Sequence, residues 1–136
     1  MMNDDLTKLF LKYQDHPTFF SYSPITSVHD LGCMGETLLN LAVNSQNKKD
    51  VILLIENGAN VNQQGELNFT PIQNACFYGN LNIIEVLLEN GAKPNIKNEL
   101  GYDAENFSFQ AFPLSVDGMR KLRNEELNDG LLEEGQ

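Results

Sequence analysis

The interval from Thr37 to Thr70 recurs along the chain, pairing Leu39 with Ile72, Ala42 with Ala75, Leu53 with Val86, Leu54 with Leu87 and Ile55 with Leu88. Glu56-Asn57-Gly58-Ala59 falls on Glu89-Asn90-Gly91-Ala92, and Asn62 on Asn95. A fixed period of about 33 residues marks a stacked repeat array, in which each unit buries its apolar face against its neighbours and no single globular centre forms. The unit at 69–95, FTPIQNACFYGNLNIIEVLLENGAKPN, has its punctuation intact. Thr70 is a good N-cap, and Pro71 follows at the first helical position, where a missing N–H costs nothing. Ile72, Ala75 and Cys76 recur at helical spacing, Gly79-Asn80 breaks the helix, and Ile83, Ile84, Val86, Leu87 and Leu88 supply a second one. Asn90-Gly91 ends it, because glycine enters the left-handed conformation cheaply after a helix. Two helices this short are marginal alone in water, so the unit needs its neighbour.

Thr70-Pro71-Ile72-Gln73-Asn74-Ala75 resembles the ankyrin T-P-L-H-x-A motif, and Gly91-Ala92-Lys93-Pro94-Asn95 resembles its closing G-A-x-x-N. The resemblance covers about 31–98 and implies a mostly α-helical ankyrin-repeat solenoid of helix-turn-helix units with projecting β-hairpin fingers and degenerate N- and C-terminal caps. The expected organisation is one domain over 1–136: an N-terminal helix and connector cap at 1–30, repeats at 31–63 and 64–97, and a degenerate repeat with a C-terminal cap helix at 98–136. In this family the histidine of the motif ties adjacent repeats together. The matching positions here are Asn40, Gln73 and Asn106, whose carboxamides still offer a donor and an acceptor.

Leu6, Leu9, Phe10 and Tyr13 give 4–13 an amphipathic helix with acids in its first turn. Asp4 lies one full repeat interval before Thr37, which places this helix in the first-helix slot of a worn leading repeat whose partner helix is missing. Segment 15–24 has two prolines and no helical period; Phe19, Phe20 and Tyr22 are expected to pack it over the end of the stack. Fingers are expected at 25–36, at 61–69 with Gly65 at the bend, and at 95–102. Asp103 can cap a third, degenerate unit containing Phe107, Phe109 and Phe112. Ser115 and the residues to Asn128 read as a closing helix with Val116, Met119 and Leu122 inward, and 129–136 as a frayed acidic end.

Nineteen acidic against nine basic residues give a net charge of −10, which disfavours phosphate backbones and anionic membrane surfaces. The charge serves solubility, or a basic protein partner. The opening MMNDDLTKLF has acids where a secretory signal needs a positive flank, and no apolar run is long enough to span a bilayer, so the cytoplasm is the expected compartment. Cys33 and Cys76 are too few for a disulfide framework or zinc site, and Cys76 occupies a small apolar position of the motif. There is no phosphate loop, H-E-x-x-H, Cys-x-x-Cys or nucleophile elbow. The pair His29–Asp30 beside Cys33 would lie on an open finger that does not exclude water. No catalytic residue, metal or cofactor is expected.

The resemblance implies a protein-binding module whose finger tips and exposed inner-helix positions line a concave surface. Carried over by register, those positions are Cys33, Met34, Glu36, Asn44 and Ser45, then Glu66, Leu67, Phe69, Phe77 and Tyr78, then Glu99, Leu100 and Tyr102. The partner-binding set taken from them is Met34, Glu36, Glu66, Leu67, Phe69, Phe77, Tyr78, Glu99, Leu100 and Tyr102. Aromatic anchors among acids suit a basic protein partner, although the same rings can instead brace the fingers against the helices. Size, acidity and worn caps also resemble small bacterial ankyrin proteins of the toxin-immunity type, which implies an acidic inhibitor, monomeric when free, that occludes a basic toxin. The alternatives are a general adaptor that joins two proteins and, from another class, a small enzyme or ligand-binding subunit.

Overall fold

The structure, a computed structural model, describes residues 4–19 and 23–111. Six α-helices occur among them: α1 (Asp4–Gln14), α2 (Leu38–Asn44), α3 (Lys48–Glu56), α4 (Pro71–Tyr78), α5 (Leu81–Glu89) and α6 (Ala104–Ala111). They form two rows. The inner row runs α2–α4–α6 and the outer row α1–α3–α5, with α2 packed on α3 and α4 on α5.

The repeat helices begin where the sequence supplies a cap. The Thr37 and Thr70 hydroxyls accept from the N–H groups of Asn40 and Gln73. The Gln73 side chain accepts in turn from the Thr70 N–H, completing a capping box. Asn47 and Asn80 do the same work for α3 and α5, accepting from the N–H groups of Asp50 and Ile83. Both outer helices then stop in the same way: the side chains of Asn57 and Asn90 donate to the carbonyls of Leu53 and Val86. Gly58 and Gly91 follow at φ +96° and +92° with nothing near a would-be Cβ, so a substitution there meets backbone strain alone. Gly91→Val is expected to cost about 1–2 kcal/mol and Gly91→Asn distinctly less; equal melting temperatures for the two variants would refute the left-handed helix end.

Between the rows lies a continuous apolar ribbon. Leu38, Ala42 and Val43 of α2, Ile72, Ala75 and Cys76 of α4, Val51 and Leu54 of α3, and Ile83, Ile84 and Leu87 of α5 are all fully buried. Burial pushes the Cys76 thiol up to about 12, so it sits in the core as a small apolar group with little thiolate character. The motif's carboxamides keep the inter-repeat tie. Asn40 Nδ2 donates to the Phe69 carbonyl at 3.1 Å, and Gln73 Nε2 donates to the equivalent Tyr102 carbonyl at 3.2 Å and to that of Ile96 at 2.7 Å. Asn106 instead accepts from the Asp103 N–H at the start of α6.

Two expectations are corrected. The fingers are not β-hairpins. Among the described residues the only extended pairing is an isolated bridge between Leu31 and Thr37. Each finger is closed by one backbone bond, Gly32 N–H to Glu36 O, Gly65 N–H to Phe69 O and Asn98 N–H to Tyr102 O, at 2.8–2.9 Å. The first two bend through 3-10 turns, Cys33–Gly35 and Glu66–Asn68. Gly65 precedes its bend; the left-handed residues there are Leu67 and Asn68. The helix N-caps Thr37 and Thr70 follow directly on the closing residues Glu36 and Phe69, which leaves no returning strand for a ladder.

The leading helix is the second correction. The offset from Asp4 predicts an inner slot, yet α1 lies in the outer row against α3. The link from α1 to α2 is far longer than the tight turns that join α2 to α3 and α4 to α5, so α1 is free to reach the outer row. It buries Leu6, Leu9, Phe10 and Tyr13, and both the Lys12 ammonium and the Tyr13 hydroxyl donate to the buried Asp50 carboxylate. Burial, reinforced by the Asp50 bond and charge, raises the Tyr13 hydroxyl above its usual range and keeps it a donor. Phe19 is buried as expected, with Gln14 holding the connector through the Phe19 carbonyl and the Ile25 N–H. Phe20, Tyr22, Phe112 and the closing helix expected from Ser115 lie outside the described residues.

Candidate functional site

The inner row and the fingers bring the sequence-derived residues into two groups. The first is a row of finger tips. Met34, Leu67 and Leu100 are 70%, 46% and 57% exposed, one per finger. Met34 and Leu67 are held at φ 59° and 54°, a left-handed conformation that few large side chains adopt. Glu66 and Glu99 precede two of these tips and are exposed, as is Cys33 before the other. The fingers also touch: the Glu99 N–H donates to the Leu67 carbonyl at 2.9 Å.

The second group is an aromatic cluster at the α4–α6 junction. Phe107 of α6 is its hub, with ring centroids 5.3 Å from Phe69, 6.3 Å from Phe77 and 6.1 Å from Tyr102. Tyr78 meets the Phe77 ring edge-on at 5.2 Å. Phe69 is half-buried and braces α6, whereas Phe77, Tyr78 and Tyr102 remain 54%, 44% and 48% exposed. Such edge-to-face contacts fix ring orientation while leaving one side of each ring in water. Phe107 was readable only as a packing residue. Extending the repeat offset past Asn98 places it on the buried Asn74, and that signal would have marked it as an inward position.

Glu36 departs from its expected place on the exposed face. It is buried, and its Oε1 accepts from the Thr37 N–H at 3.0 Å, Asn40 Nδ2 at 2.9 Å and the Glu66 N–H at 3.3 Å. The carboxylate fits because Gly65 has no side chain: a Cβ there would stand 2.0 Å from Glu36 Oε1. Glu36 therefore joins two repeats and leaves the surface charge to Glu66 and Glu99. Asn44 is half-buried and Ser45 is exposed at the end of α2. Asp30 does not pair with His29; its carboxylate accepts from the Thr26 and Ser27 N–H groups.

A family model for ankyrin repeats, in three copies, matches residues 2–98. The chain belongs to the ankyrin-repeat family. No curated protein matches it. The match takes in α1, in keeping with α1 as the outer helix of a leading repeat, and ends within the third finger. Ankyrin repeats are protein–protein interaction modules, and the finger tips and inner helices of this one expose large apolar side chains together. Among the described residues no helix is long and apolar enough to cross a membrane, and no cluster of His, Cys, Asp and Glu is placed to hold a metal ion.

Proposed function

We propose that this ankyrin-repeat protein is a non-catalytic inhibitor of the immunity type, which covers a basic partner protein, such as a bacterial toxin, with its finger-and-inner-helix face. The observation that carries the reading is the exposed aromatic cluster of Phe77, Tyr78 and Tyr102 around Phe107. Phe69 packs half-buried on Phe107, whereas the other three rings keep about half of their surface in water. Aromatic side chains of this kind supply interface hot spots, because they bury much area for few frozen torsions. The net charge of −10, with Glu66 and Glu99 exposed beside the tips, favours encounter with a cationic partner.

The two groups should separate kinetically. Capture from the native cell, followed by surface-binding kinetics at two salt concentrations, is the direct test. Glu66→Gln with Glu99→Gln is expected to slow association and flatten its salt dependence. Tyr78→Ala or Phe77→Ala is expected to speed dissociation, by about 2 kcal/mol if either ring is a hot spot. Unchanged kinetics in folded variants of both kinds would move the interface off this face. A captured partner that keeps its full activity while bound would make the protein an adaptor.

A further inference from the structure

We propose that the row of finger tips, Met34, Leu67 and Leu100, receives a basic amphipathic α-helix of the partner protein, apolar residues two helical turns apart meeting successive tips. The inference rests on the binding function above and names the element that is bound. It starts from backbone cost. A large side chain in the left-handed region is disfavoured, and glycine or asparagine would relieve it. Met34 and Leu67 both carry that cost while they are 70% and 46% exposed, so packing within the chain offsets little of it at Met34 and only part of it at Leu67. Leu100 repeats the aliphatic tip one repeat interval after Leu67.

The tips leave little backbone for an extended peptide to pair with. Gly32, Gly65 and Asn98 N–H groups close their own fingers, and those of Gly35, Asn68 and Gly101 turn back to the carbonyls of Gly32, Gly65 and Asn98. Strand addition needs a free edge, and these turns offer none. Recognition here must come through side chains, which suits a preformed helix. Two turns of an α-helix rise about 11 Å, close to the about 8–10 Å between packed helices, so residues i and i+7 of one stripe can meet neighbouring tips. The flanks are acidic: Glu66 and Glu99 adjoin Leu67 and Leu100. Lysine or arginine on the shoulders of the stripe completes the match.

The probe is a fluorescein-labelled Leu/Lys peptide of six helical turns with leucines along one helical stripe, compared with a scrambled peptide of the same composition and a proline-broken version. Fluorescence anisotropy is expected to show the patterned peptide binding at least tenfold more tightly than either control. Leu67→Asn is expected to weaken it at least fivefold while the melting temperature stays level or rises, because asparagine tolerates the left-handed turn. A structural role for Leu67 would lower the melting temperature instead. Leu100→Ser is the second variant, should Leu67→Asn fail to fold. Equal affinity for patterned and scrambled peptides, or unchanged affinity in the folded tip variants, overturns the proposal. If that happens while Tyr78→Ala still weakens a captured partner, the helix is wrong and the binding face stands. Tip-dependent peptide binding alongside a partner indifferent to both groups would keep the helix site and discard the inhibitory face.

Discussion

Leu54→Ala and Leu87→Ala are each expected to remove about 2–5 kcal/mol of stability. The two residues occupy the same place in successive outer helices, and neither exposes any surface. Each loses the transfer free energy of its deleted methyl groups and leaves a cavity that rigid caps at both helix ends cannot collapse. A short array has few interfaces to spare, since each repeat is held only by its neighbours. Against a total of about 5–15 kcal/mol for an ordinary domain, a loss of this size can broaden the thermal transition as well as lower it. Leu53→Ala, one residue away and half-buried, sets the scale for a helix-surface change and is expected to cost less. Circular-dichroism melts decide the matter. Variants at Leu54 and Leu87 that overlay the parent curve would contradict the repeat register itself.

The register was legible because it is written in features that act locally. Threonine and asparagine caps, Pro71 and the glycines after the outer helices each fix a helix end without help from distant residues. Slot and exposure were less legible, because they depend on what a second segment does. The pattern of Leu6, Leu9, Phe10 and Tyr13 gives α1 an apolar face, but the face does not say which row it joins; that depends on the reach of Lys12 and Tyr13 to Asp50, far along the chain. The family analogy supplied strands for the fingers, whereas the helix caps Thr37 and Thr70, directly after the closing residues Glu36 and Phe69, leave only turns. Within the binding set, the aromatic residues meet where register predicts, since α4 and the fingers beside it carry them together. Their hub, Phe107, was hidden by the loss of the motif in the third unit.

Glu36 was misplaced for a different reason: its burial is a three-body fit involving Gly65 and Asn40, and the next junction solves the same problem with other residues. Shifted by one repeat, Glu36 and Gly65 become Phe69 and Asn98. There the Asn98 side chain fills its own slot, Oδ1 accepting from the Leu100 and Tyr102 N–H groups and Nδ2 donating to Gln73 Oε1. At the first junction Gly65 has no side chain to offer, the Glu36 carboxylate enters the space, and Asn40 Oδ1, the counterpart of Gln73 Oε1, is left buried without a partner. Gly65→Asn alone is therefore expected to cost about 3 kcal/mol, because its Cβ would lie 2.0 Å from Glu36 Oε1 and 2.6 Å from Asn40 Nδ2. Glu36→Phe alone is expected to cost about 2 kcal/mol by stripping an acceptor from the Thr37 and Glu66 N–H groups and from Asn40. Combined, the two changes rebuild the second junction at the first: the new asparagine can meet Asn40 Oδ1, and the carboxylate it would strike is gone. The double variant is expected to recover about 1.5 kcal/mol or more of the summed loss, within the range for residues in contact. Urea denaturation of the parent, both singles and the double measures that coupling. Additivity within about 0.5 kcal/mol would mean that Gly65 and Glu36 are not two halves of one contact.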